Sequence, residues 1–162
     1  MSENIEGNLL ETHLHFAKKT NQRVWDLLER SERSRAEDEE MLLAAYASVY
    51  HWKIAGTAVH CQRGYWMISR VYLTLDREDG ALEWAAKCQE ITDNNYAEME
   101  DFDLAFAKEG LARAYALAGD LIEAKKHYDL SVELGEKIKD PEDKLIFLND
   151  LQDGNWFGFV PK

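Results

Sequence analysis

Apolar residues along this chain recur at spacings of three and four rather than two. That spacing places them on one face of a helix rather than one face of a strand. Over 9–30 the series Leu10, Leu14, Ala17, Val24, Leu27 and Leu28 carries it. Only two prolines and nine glycines interrupt 162 residues, which favours long helices over many short strands. The pattern predicts an all-α fold, with helices near 9–30, 37–55, 57–75, 79–92, 100–118, 121–138 and 142–152. The charged stretch SERSRAEDEE (31–40) reads as a connection whose acidic end suits the next helix start. Gly56 is expected as the C′ residue of the second helix, and Pro141 in the first turn of the last.

A second regularity sits above the first. Ser69-Arg70-Val71-Tyr72 in the third helix is answered 43 positions on by Ala112-Arg113-Ala114-Tyr115 in the fifth, and Ala81 is answered by Ala124 at the same offset. A fixed offset across a helix pair is the signature of a stacked helical array. Arg23-Val24-Trp25 is a weaker copy, 47 positions before Arg70. Residues 111–135 resemble the tetratricopeptide repeat through Leu111, Ala112, Ala114, Tyr115, Gly119-Asp120, Glu123-Ala124, Tyr128 and Ser131. Residues 68–88 resemble a degenerate copy through Ile68, Ser69, Val71, Tyr72, Ala81, Ala85 and Cys88, with Asp76 at the turn glycine. The offset exceeds the usual ~34-residue period, so the likeness is to a long-repeat variety. It implies an α-α superhelix, a single domain over 1–162. Three antiparallel pairs (8–55, 57–92, 100–138) would be followed by a capping helix (142–152) and an aromatic tail (153–162). Trp25, Tyr72 and Tyr115 are then wedges packed between pairs.

The formal net charge of −12 opposes nonspecific nucleic-acid binding and anionic membrane surfaces, so neither partner is expected. No apolar run approaches the ~20 residues that span a bilayer, and a soluble, cytoplasmic protein is expected. Two cysteines are too few for a disulfide framework and read as free thiols.

Catalytic and metal patterns are thin. Neither His-Glu-x-x-His nor Cys-x-x-Cys occurs, and no glycine-rich phosphate loop is present. His13 and His15, two apart, point to different helix faces. A set of Glu11, His15, His51 and His60 lacks the spacing that gathers ligands. Cys61 near a helix start, with His51 or His60 as base, defines the alternative reading: a small-molecule or metal-dependent enzyme in a helical bundle. Against it, Cys61, Gly64, Tyr65, Ile68, Tyr72 and Leu75 share one apolar face, which makes Cys61 a core residue. No catalytic residue, cofactor or metal is assigned.

The informative polar set is the stripe His60, Arg63, Met67, Arg70 and Thr74. The resemblance implies that the first helix of each pair lines a concave groove. That groove would hold His60, Arg63, Trp66 and Arg70, matched by Phe106, Glu109 and Arg113, with Arg23 as a third copy. The expected function is non-catalytic protein or peptide binding, as a scaffold or adaptor. Arginine suits forked contacts to an anionic or C-terminal-carboxylate segment. The structural alternative has these arginines bridging helices through Glu29, Glu39 or Glu109. Trp156, Phe157 and Phe159 are expected to cap the stack, lie in the groove or join a second copy as a homodimer.

Overall fold

Side chains that accept the unpaired amide protons of a first turn fix where these helices begin. The computed structural model describes residues 2–161. Among the described residues there are seven α-helices, one 3-10 turn (Tyr96–Glu98) and no strand. The helices are α1 (Ser2–Leu28), α2 (Arg35–Ala55), α3 (Ala58–Thr74), α4 (Glu78–Asn94), α5 (Asp101–Leu117), α6 (Leu121–Glu136) and α7 (Pro141–Gln152). Ser34 and Glu37 form a reciprocal capping box that starts α2 two residues before its predicted start. Asp120 caps α6, and Asp140 caps α7 with Pro141 at its first turn. Helix α1 begins well before the predicted residue 9.

Two turn expectations meet different outcomes. Gly56 is not a left-handed cap: its φ is −98°, in the extended region, and its N–H donates to the Trp52 carbonyl at 2.7 Å. A glycine is required there by space, because a Cβ would sit 2.7 Å from that carbonyl oxygen. The turn after α3, by contrast, does use the left-handed region. Asp76 has φ +53°, and Gly119, 43 positions on, has φ +79°.

Consecutive helices pack as the antiparallel pairs α1/α2, α3/α4 and α5/α6, an arrangement compatible with a helical repeat. Helices α1, α3, α5 and α7 also touch in series, which leaves α2, α4 and α6 on the other side. Small residues set the close approaches. Gly64 of α3 sits under Val49 of α2, where a Cβ would come within 2.6 Å. Gly80 lies under the Tyr72 ring and Gly135 under the Phe147 ring. Ser69 is buried and donates to the Ala81 carbonyl at 2.8 Å, tying α3 to α4. Val24, Leu27, Met41, Ile68 and Val71 fill the core between the first two pairs. Ala105, Ala112, Phe147, Leu151 and Trp156 fill the core beneath α7 and the tail. No helix among the described residues is long and apolar enough to cross a membrane.

Candidate functional site

The series α1–α3–α5–α7 carries one aromatic ring per helix on a shared side. Trp25 lies 6.2 Å from Trp66 between ring centroids, Trp66 lies 5.4 Å from Phe106, and Phe106 lies 5.0 Å from Phe147. The last two contacts are edge-to-face, a favoured geometry for aromatic pairs. Phe147 is fully buried, whereas Trp25 keeps 39% of its surface open. The row borders a hollow of about 260 Å³, walled by Trp25, Trp66, Met67, Phe102 and Phe106, with Ile146 of α7 on its edge. Ile146 is 59% exposed, so the hollow has an apolar lip. A second hollow, of about 330 Å³, continues past Trp25 to Leu28, Leu73 and Phe157.

Charged groups beside the row are already partnered. Arg63 donates from Nε to Asp103 Oδ1 at 2.8 Å and from Nη2 to Asp103 Oδ2 at 3.1 Å, with Glu100 at 3.2 Å. Its guanidinium also lies 4.7 Å from the Phe102 ring centroid. Asp103 is buried and caps α5 by accepting the Glu100 N–H. Gln62, also buried, donates to Thr92 Oγ1 and to the Asp103 carbonyl. Arg70 donates to Glu109 at 3.4 Å and to Asp150 Oδ1 at 2.6 Å.

Arg113 is the hub of the tail. It is 2% exposed and pairs with Glu109, which is fully buried. Its Nη2 donates to the carbonyls of Asp150 (2.5 Å) and Asp153 (2.8 Å), and its Nη1 to that of Asn155 (3.1 Å). The Trp156 ring lies 4.1 Å from the guanidinium. Burial, reinforced by the Glu109 charge, pushes the Asp150 carboxyl up to about 6.

The expected groove residues therefore divide. Arg63, Trp66 and Phe106 border the first hollow, and Arg70 and Arg113 border the second. Glu109 faces neither; it is buried between the two arginines. Arg23 pairs with Glu40 of α2, its Nε donating at 2.6 Å, and lies on neither hollow. His60 is also turned away: its ring stacks on Trp52 at 4.3 Å, and Nδ1 accepts the Thr57 N–H at the start of α3. The bridging carboxylates are Glu109, as the structural alternative has it, and Asp103, Asp150 and Glu40 in place of Glu29 and Glu39. Met67, placed on a polar stripe by spacing alone, is buried.

The three residues of the enzyme alternative go to different surroundings. Cys61 packs with Ala17 and Trp52, and burial pushes its thiol up. His51 meets His13 across the α1/α2 seam, with 2.7 Å between their Nδ1 atoms. Desolvation holds His51 and His60 below the usual histidine range. Cys88 is buried, and its thiol is pushed up to about 12 by that burial. Low thiolate character makes both cysteines poor nucleophiles at neutral pH. No cluster of three or more His, Cys, Asp or Glu able to hold a metal ion exists among the described residues.

Reading from Arg23 aligns Trp25 with Tyr72, and the structure replaces that match. Trp25 stands in the row with Trp66, while Tyr72 hydrogen-bonds Tyr46 at 2.9 Å on the other side of α3. Phe102, Ile146, Phe147 and Asp150 escape a reading confined to the arginine stripe. The signal that finds the row is the spacing of 25, 66, 106 and 147, an aromatic every 40 or 41 residues. Comparison with protein-family models, curated proteins and solved structures finds no match for this chain.

Proposed function

We propose that this chain is a non-catalytic binding module, a tetratricopeptide-like superhelix serving as a scaffold or adaptor. It holds an apolar segment of a partner protein against the row Trp25–Trp66–Phe106. One observation carries the reading. The row borders an open hollow, while the arginines beside it are already paired to carboxylates of the same chain. Recognition then rests on apolar and aromatic contact, with polar groups at the rim setting orientation. Paired arginines are poor claimants for a free carboxylate, which moves the emphasis from an anionic ligand to an apolar one. The repeat arrangement is supported by the shared 43-residue offset of Asp76 and Gly119 in matching left-handed turns.

A single Leu- or Phe-sized anchor contributes about 1.5–3 kcal/mol when fully buried. Association itself costs several kcal/mol. A useful ligand therefore presents two or more apolar anchors along the row. Selection of a displayed peptide library on the full chain tests this. The enriched peptides should carry spaced aromatic or branched aliphatic residues. Their capture should fall at least tenfold in both Trp25→Glu and Ile146→Glu, two partly exposed sites whose replacement spares the core. Failure to enrich, or capture indifferent to both substitutions, would overturn the proposal.

A further inference from the structure

Helices α2, α4 and α6 each show a solvent-facing stripe, and one of the three differs in kind. On α4 that stripe reads Glu83, Ala86, Glu90 and Asp93. On α6, beyond Ile122 at its start, it reads Lys126, Asp129, Glu133 and Glu136. On α2 it reads Leu43, Ala47, Tyr50 and Ile54, with Leu43 70% and Tyr50 63% exposed. Spacings of four, three and four residues keep these side chains on one face over about three turns. The middle of the stripe is thus charged on two of these helices and apolar on one.

Charge narrows what covers the stripe. Residues 41–75 contain no Asp or Glu, although the whole chain has 31. Most of the surface of this protein repels another copy of itself, but the outer face of α2 beyond Glu40 does not. The order of residues is also self-complementary. In an antiparallel two-fold pairing centred on Tyr46–Ala47, Leu43 meets Tyr50 of the other copy. Glu40, also held by Arg23 of its own chain, comes opposite Lys53 and Glu39 opposite Ile54, so the acidic end of α2 meets the end that carries its base. Small Ala47 stands at the crossing point, where the helices come closest. A two-fold contact uses the same patch on both subunits, and this patch meets that requirement.

We infer that the chain forms a homodimer through α2, with Leu43, Ala47 and Tyr50 as the apolar seam. The seam lies on a different helix from the α1–α3–α5–α7 row, so dimerisation leaves the proposed groove open. It also stands independently of that groove's function.

Sedimentation equilibrium on the full chain tests the inference. The unaltered protein should sediment as a dimer that dissociates on dilution. Leu43→Lys and Tyr50→Glu should each be monomeric, with helical circular dichroism unchanged. Mixing these two variants in equal amounts should restore a dimer, because the lysine introduced in one chain then faces the glutamate introduced in the other. A monomer at every concentration overturns the inference. So does a dimer that persists in both single variants, or a mixture that stays monomeric. A variant that loses its helical signal is replaced by Leu43→Arg or Tyr50→Asp at the same position, read the same way.

Discussion

Asp76 and Gly119 occupy the same turn in successive helix pairs, and both adopt positive φ. Only glycine does so without a Cβ penalty, which is about 1 kcal/mol or more for other residues. Asp76→Gly should therefore stabilise the protein by about 1 kcal/mol, and Gly119→Ala should destabilise it by a similar amount. Urea unfolding midpoints of the two variants check the signs. The sequence marks this position through Gly119, whose counterpart is Asp76, but a side chain in that turn does not announce its backbone angle. Spacing alone assigns Cys61 and Ile68 to the core, and both are buried. It misplaces Met67, because a helix position tells direction and not depth. His60 enters the expected groove only through its distance from Arg63. Its ring instead finds Trp52 and its own helix start, a local option that competes with any longer reach.

Helix α7 and the tail are the element whose place is least legible. Their length and the cap at Asp140–Pro141 can be read, since these signals are local. Their docking cannot, because it depends on side chains far away in the chain. Arg70 reaches Asp150 across 80 positions, and Arg113 gathers three carbonyls between Asp150 and Asn155. A guanidinium has five donors, and carbonyls satisfy it without leaving a sequence motif. Arg113→Ala removes this hub and leaves buried Glu109 with only its longer contact to Arg70, at 3.4 Å. Breaking a buried pair in this way costs about 3–5 kcal/mol. The variant should lose that much stability, and backbone amides from 150 to 157 should exchange faster with solvent. An unchanged melting transition would show that Arg113 is not structural. Were Arg113 a ligand contact alone, its loss would spare the fold.

At the scale of the molecule, the helix periodicity foretells an all-α chain of seven helices in adjacent pairs. The offset of 43 recurs in the structure as the left-handed turns at Asp76 and Gly119. The first pair resists because the α1–α2 connection changes the register: counting from Arg23 finds Tyr72, whereas space finds Trp66. The row Trp25–Trp66–Phe106–Phe147 is a property of four helices together, visible in sequence only as an aromatic every 40 or 41 residues. Stacking four helices brings these rings to one side and leaves a hollow beside them. The contacts Trp25–Trp66, Trp66–Phe106 and Phe106–Phe147 all join different helix pairs or the last helix, so the row needs those elements packed together.

The chain has five tryptophans, and their indole N–H resonances report separate places. Trp84 donates to Tyr46 and Trp156 to the Leu151 carbonyl, both away from the hollow, while Trp25 and Trp66 wall it. Titrating the full chain with a peptide enriched in selection, followed by proton–nitrogen correlation spectra, tests the groove most directly. The Trp25 and Trp66 signals should shift in proportion to occupancy while those of Trp84 and Trp156 stay in place. Shifts confined to Trp84 or Trp156, or none despite saturating peptide, would contradict the aromatic row as the binding site.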